Sequence, residues 1–162
     1  MREILFRGKR ADNGEWIEGY YAKQSNHACF AHELKYQHFI FKDVCLDFNL
    51  GGLQEFEIIP ETVGQYTGLT DKNGKRIFEG DILRGFEYPF CSNINGEFNY
   101  FAEIVWFDDS SAFGIYTFKN PKSNVRGISE GNTDYLEYFN ADKWEVIGNI
   151  HDNSEILKTP SP

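Results

Sequence analysis

The sequence predicts a mainly β protein, all-β or a β-rich mixture with little helix, and three observations carry that reading. Its aromatic content is high, with 15 Phe, 9 Tyr and 3 Trp against a single Met in 162 residues. Aromatic and β-branched side chains suit a pleated, half-buried surface, so this bias favours strands over helices. Short apolar runs alternate with polar clusters that hold most of the 15 glycines. Frequent turns between short strands read as a barrel or sandwich. Finally, Asn13-Gly14 and Asn73-Gly74 each sit between strand-like runs, and both residue types tolerate the positive φ of a tight hairpin turn.

Taken in order, residues 2–9 read as a strand with Ile4 and Phe6 on one face, turning at Asp12-Asn13-Gly14 into a return strand over residues 16–21. Residues 39–41 and 44–46 read as two short strands, and residues 49–52 as a loop. A strand over residues 55–59 stops at Pro60, which lacks the N–H a ladder needs. Pro60 then suits the first position of a single helical turn. Residues 65–69 run into the turn Asp71-Lys72-Asn73-Gly74, residues 75–78 run out of it, and Glu79-Gly80-Asp81 turns into a strand over residues 82–84. Residues 98–107 form the clearest strand. Phe98, Tyr100, Ala102, Ile104 and Trp106 share one face, and Phe101, Val105 and Phe107 on the other predict burial on both sides. Asp108-Asp109-Ser110-Ser111 leads to a hairpin partner over residues 112–118. Residues 119–131 read as a polar loop, residues 135–139 as strand or helix, and residues 144–150 as the last strand. Asn153 is placed to cap a short turn ending at Leu157, and residues 158–162 are expected to be disordered. The two Asn-Gly hairpins echo each other, but hairpins converge on this chemistry, and two unrelated hairpins is the preferred reading.

Composition narrows the function classes. A chain of this length can bury roughly 68–70% of its unfolded surface, so no disulfide or metal is needed to stabilise it. Sixteen basic against 25 acidic residues give a net charge of −9. Nucleic-acid affinity comes largely from Lys and Arg on phosphates, so this balance disfavours non-specific duplex binding. Cys29, Cys45 and Cys91 are odd in number and form no CxxC pair, which fits reduced thiols. The charged start MREILFRGKR has no signal-peptide core, and no run approaches the ~18 apolar residues of a membrane helix. The expected location is cytoplasmic.

The run EIIPETVGQYTGLTDKNGKRIFEGDI over residues 57–82 is long and unusual. It closely resembles the signature of the YopX-like proteins of phages and bacterial prophages. The start REILFR at residues 2–7 and WEVIGNIHDN at residues 144–153 resemble the family's ends, so the likeness spans nearly the whole chain. It is weakest over residues 22–54 and 87–97. The resemblance implies an SH3-like β barrel within residues 63–150, on a division into an N-terminal hairpin region at 1–62, a barrel domain at 63–157 and a tail at 158–162. It brings no reaction, cofactor or catalytic residue with it. Within the signature, Gly68, Gly74 and Gly80 mark sharp turns, and Asp71 and Asp81 can accept backbone N–H bonds, with Thr62 and Thr67 as weaker versions. A structural role for this motif is the preferred reading.

Other constellations are weaker. His27, Cys29, His32, His38 and Cys45 are chemically suited to zinc, and His27 and His32 have a knuckle spacing. No matching cysteine pair exists, so scattered half-buried side chains are preferred over a zinc-stabilised module. Phosphate loop, HExxH helix and GxSxG elbow are all missing from the sequence, and Cys91 has no neighbouring His. A nucleic-acid reading rests on Lys72, Lys75, Arg76 and Arg84 around the central hairpin, with exposed Tyr66, Phe78 or Phe86 to stack bases. The plainer alternative, that these charges solvate a hairpin whose aromatics fill the core, is preferred. The expected function is thus a non-enzymatic phage or prophage accessory protein. It would need no cofactor, would bind another protein or itself, and would have Tyr66, Lys72, Lys75, Arg76, Phe78 and Arg84 as its candidate surface.

Overall fold

The computed structural model describes residues 3–26, 35–46, 50–85, 100–119, 132–136 and 141–157. Short strands dominate these segments, as the aromatic bias predicts, and the chain divides into two compact units, Met1–Tyr66 and Thr67–Pro162.

In the first unit, β1 (Phe6–Lys9) and β2 (Trp16–Asn26) form the expected hairpin, with Phe6 opposite Gly19 and Lys9 opposite Trp16. Gly14 supplies the positive φ of the turn, at 74°. Its start differs from the sequence reading: the strand begins only at Phe6, and Leu5 rather than Ile4 is the buried residue. The Leu5 carbonyl accepts the N–H of Tyr66 at 2.8 Å, which turns Leu5 inward. The two short strands expected next are one, β3 (Lys35–Leu46). The expected loop at residues 49–52 is largely strand as well, since β4 (Leu50–Glu57) pairs Leu50, Gly51 and Gly52 with Leu46, Cys45 and Val44. The long β3 offers these glycines a ladder, and at a sheet edge their weak strand preference costs little.

Strands β1 to β4 curl around Ile17, Ile40 and Ile58, with Tyr21, Phe56 and Val63 packed against them. The end of β4 returns to the end of β1 through a bridge between Arg10 and Ile58, flanked by the bonds Ala11 N–H to Glu57 O and Ile59 N–H to Lys9 O. One bridge and two bonds fall short of a closed barrel. At Pro60–Thr62 the chain makes the expected turn, a 3-10 helix with proline at its start. Thr62 Oγ1 locks it, accepting from Lys9 N–H at 2.8 Å and donating to Ile59 O at 2.7 Å. Strand β5 (Gly64–Thr70) then pairs with β1, Phe6 opposite Gln65.

The second unit carries β6 (Arg76–Phe78), β7 (Asp81–Gly85), β8 (Tyr100–Phe107), β9 (Ala112–Lys119), β10 (Asn132–Tyr135), β11 (Trp144–Asn149) and the one-turn helix α1 (Ser154–Leu157). Five of its strands form an antiparallel sheet in the order β10-β9-β8-β7-β11. Strands β8 and β9 form the hairpin expected around Asp108-Asp109-Ser110-Ser111; of residues 135–139, Tyr135 ends β10, Leu136 is in a 3-10 turn, and 137–139 lie outside the described residues. The core is Ile77, Leu83, Ala102, Ile104, Phe113, Ile115 and Trp144. On β8, Ala102 and Ile104 are fully buried and the opposite face is half-buried. Trp106 emerges at the surface edge-on to Phe113, ring centres 4.8 Å apart.

The SH3-like barrel is the main departure. Among the described residues this sheet is open, ending at β10 and β11, which pair only with β9 and β7, so no barrel closes. Asn153 takes the expected position just before α1, but its side chain does not cap the helix. Its Oδ1 accepts the N–H of Asn149 behind it, while its carbonyl accepts Ile156 N–H ahead. Residues 158–162 lie outside the described residues. No helix among the described residues is long and apolar enough to cross a membrane.

Candidate functional site

The signature turn is built around one carboxylate. Asp71 Oδ1 accepts the N–H groups of Asn73 at 2.8 Å and Lys75 at 2.9 Å, which shapes the turn from inside. Its Oδ2 accepts Val146 N–H at 2.9 Å and so reaches the start of β11. Gly74, at φ 80°, lets the chain reverse there. Burial disfavours charge on Asp71, yet the bonds from Val146, Lys75 and Asn73 and the nearby Lys75 charge outweigh it and hold its carboxyl below the usual carboxylate range.

Charged side chains add a second attachment. Glu145 receives Lys72 Nζ at 2.6 Å and also Arg84 from β7. Hydrogen bonds from Lys72 and then Arg84 hold the Glu145 carboxyl low. The Lys72 N–H also donates to Trp144 O at 2.9 Å. Asp81 supports the next turn, its Oδ2 accepting Phe78 N–H at 2.8 Å beside Gly80 at φ 76°. Thr67 Oγ1 donates to Ile77 O and accepts Leu69 N–H. The signature's conspicuous polar residues are thus occupied in holding the turn and docking it on β11.

Of the candidate surface residues, Lys75 and Arg76 are exposed. Lys72 and Arg84 converge on Glu145. Tyr66 and Phe78 are buried at 8% and 2% exposure, which corrects the idea that they stack bases. Phe86 lies outside the described residues. The zinc candidates His27, Cys29 and His32 also lie outside them, as does Cys91, and nothing is described of the Cys45 side chain. His38 Nδ1 is 2.8 Å from the Tyr21 hydroxyl. Among the described residues no three His, Cys, Asp or Glu side chains gather as a metal site would require.

Each Asn-Gly hairpin is followed by a further glycine, Gly19 after the first and Gly80 after the second. Gly80 provides a positive φ, whereas Gly19 lies in a strand where any Cβ would collide with the Phe41 carbonyl. The two glycines do different work.

Sequence reading overlooked a surface in the first unit. The registers Tyr20–Phe41–Glu55 and Ala22–Phe39–Glu57 run across β2, β3 and β4, and Asp43 pairs with Leu53 beside them. These residues share the face opposite Ile17 and Ile40. Tyr20 is 54% and Leu53 63% exposed, and the half-buried Phe39 and Phe41 rings are 6.4 Å apart. Asp43, Glu55 and Glu57 stand exposed among them. The alternation Tyr20, Ala22 and Phe39, Phe41 was the available signal.

A family model described as YopX protein matches residues 5–158. Among solved structures, the chain is similar to protein EF1440 from Enterococcus faecalis, with 22% identity over 97% of this chain and 99% of that one and a TM-score of 0.47. No curated protein matches.

Proposed function

Since the chain belongs to the YopX protein family, we propose that it is a phage-associated protein that acts in the bacterial cytoplasm without catalysis, by binding other protein chains, its own copies included. The observation that carries this reading is the contrast between the two surfaces. The polar groups of the signature hold the fold together, whereas Tyr20, Leu53, Phe39 and Phe41 form an apolar face that folding of the first unit does not fill. Contiguous exposed apolar area on a soluble protein marks an interaction surface.

Light scattering at two concentrations, with pull-down from a bacterial host lysate, tests it. The expected result is specific capture of protein, mass that rises with concentration, or both. A strict monomer that retains nothing from the lysate would remove the proposal.

A second reading, a nucleic-acid-binding regulator, draws on the exposed Lys75 and Arg76. It requires salt-sensitive retention on DNA or RNA that weakens in the K75A/R76A variant. The buried Tyr66 and Phe78 leave it without the stacking rings it invoked.

A further inference from the structure

We propose that the outer face of β2, β3 and β4 docks a protein segment rich in Arg and Lys. This rests on the reading that the chain works by binding protein, and it names the partner's chemistry. Two properties of the face select that partner. The first is charge: Asp43, Glu55 and Glu57 are exposed on β3 and β4, whereas the cations of this face, Arg7 and Lys9, stand on β1 opposite Glu18 and Trp16. A net charge of −9 over the chain adds long-range attraction for a basic partner and repels nucleic acid. The second is the rings themselves. Aromatic faces attract guanidinium and ammonium groups, and carboxylates at the edge complete a pocket for them.

The first unit already uses this chemistry internally. Arg7 lies over Trp16 with 4.8 Å to the ring centre, Arg10 over Phe56 at 4.7 Å, and Lys23 over Tyr36 at 4.3 Å. Tyr20, Phe39 and Phe41 present the same ring type beside exposed carboxylates, with Leu53 offering apolar contact to the stems of long basic side chains. A second copy of the chain would bring the acids of β4 against each other or against Lys9, which is half-buried beside Trp16. A basic segment meets no such conflict.

The test is titration of the full chain with poly-L-arginine and, in parallel, poly-L-glutamate. Three proteins are compared: wild type, the face variant D43K/E55K, and the control D108K/D109K. The control makes the same change in net charge at exposed positions of the β8–β9 turn. Thermal melts confirm that all three fold. The expected result is binding of poly-L-arginine alone, weakened at least tenfold in the face variant and less than threefold in the control. Equal losses in both variants would reduce the effect to net charge and overturn the proposal, as would no binding by wild type. A change from dimer to monomer in D43K/E55K would assign the face to a second copy instead. Lysate capture that persists in D43K/E55K would sink this docking site yet leave protein binding intact. Capture absent from a wild type that also stays monomeric would remove the broader reading.

Discussion

Asp71 and Val146 are 75 residues apart in sequence, and a 2.9 Å hydrogen bond from the Val146 N–H to Asp71 Oδ2 joins them. The other oxygen of the same carboxylate organises the Asn73-Gly74 turn. One side chain therefore couples a local turn to a distant strand. That explains why an aspartate opens this turn and why its partner, β11, carries the other family-like stretch.

Replacing Asp71 with Ala should cost about 3 kcal/mol: hydrogen bonds to a charged acceptor contribute roughly 1.5–3 kcal/mol each, and water entering the space of the lost carboxylate offsets part of the three that are lost. In a chain of this size that is a fall in Tm of roughly 6–12 °C. Asp71→Asn should recover little, because one oxygen becomes an NH2 that faces a donor at either Val146 or the turn. Calorimetry of both variants checks this. A near-wild-type Asn variant would show that the bond to Val146 carries little energy.

Two glycines of the second unit should differ sharply. At Gly74 a Cβ meets nothing within 4 Å, so the cost of Gly74→Ala is the positive φ alone, about 1–2 kcal/mol. At Gly85 a Cβ would run into the ring of Trp144, its buried cross-strand partner. Overpacking of this kind costs about 1–3 kcal/mol and occasionally more, and here the neighbour is a rigid ring at 0% exposure. Urea unfolding should rank Gly85→Ala well below Gly74→Ala, and the reverse order would place Trp144 elsewhere.

Much of the fold was legible because its signals are local. Gly14 and Gly74 announce turns through backbone sterics, and the alternation in β8 announces burial through strand periodicity. What was not legible depends on pairing across long distances. Gly51 and Gly52 look like loop until β3 supplies a ladder. Tyr66 and Phe78 look like surface until the folded chain buries them. The Asp43–Leu53 and Phe41–Glu55 neighbours likewise exist only through the β3–β4 register, which composition does not specify.

Acid should loosen the attachment of the signature turn. The carboxyls of Asp71 and Glu145 are both held low in the folded state. The stability they contribute is therefore present above their unfolded values, near pH 4, and is lost as pH falls through the folded ones. In a Tm series from pH 7 to pH 2, wild type should decline steeply below about pH 4, whereas D71A and E145Q should start lower at pH 7 and decline less. Parallel curves would show that other groups control the acid limb.

Glu103 on β8 has the opposite sign. Burial first, and then the like charge of Glu79, push its carboxyl above the usual range. Its neighbours across the sheet are Ile82 and Tyr116, so no cation faces it in the ladder. Below the unfolded value it is protonated in both states and contributes its full favourable share. As pH rises the unfolded chain ionises first, and the folded state progressively loses stability until pH passes the folded value. At neutral pH the charged group is therefore a liability. Glu103→Gln keeps the shape without the charge and should raise Tm at pH 7 by about 2–4 °C, the equivalent of ~1 kcal/mol at this size. The gain should shrink towards zero near pH 4, where the wild-type side chain is neutral. An equal gain at both pH values would mean that the substitution acts through packing, and a loss at pH 7 would mean that the ionised carboxylate has a favourable partner in the folded protein.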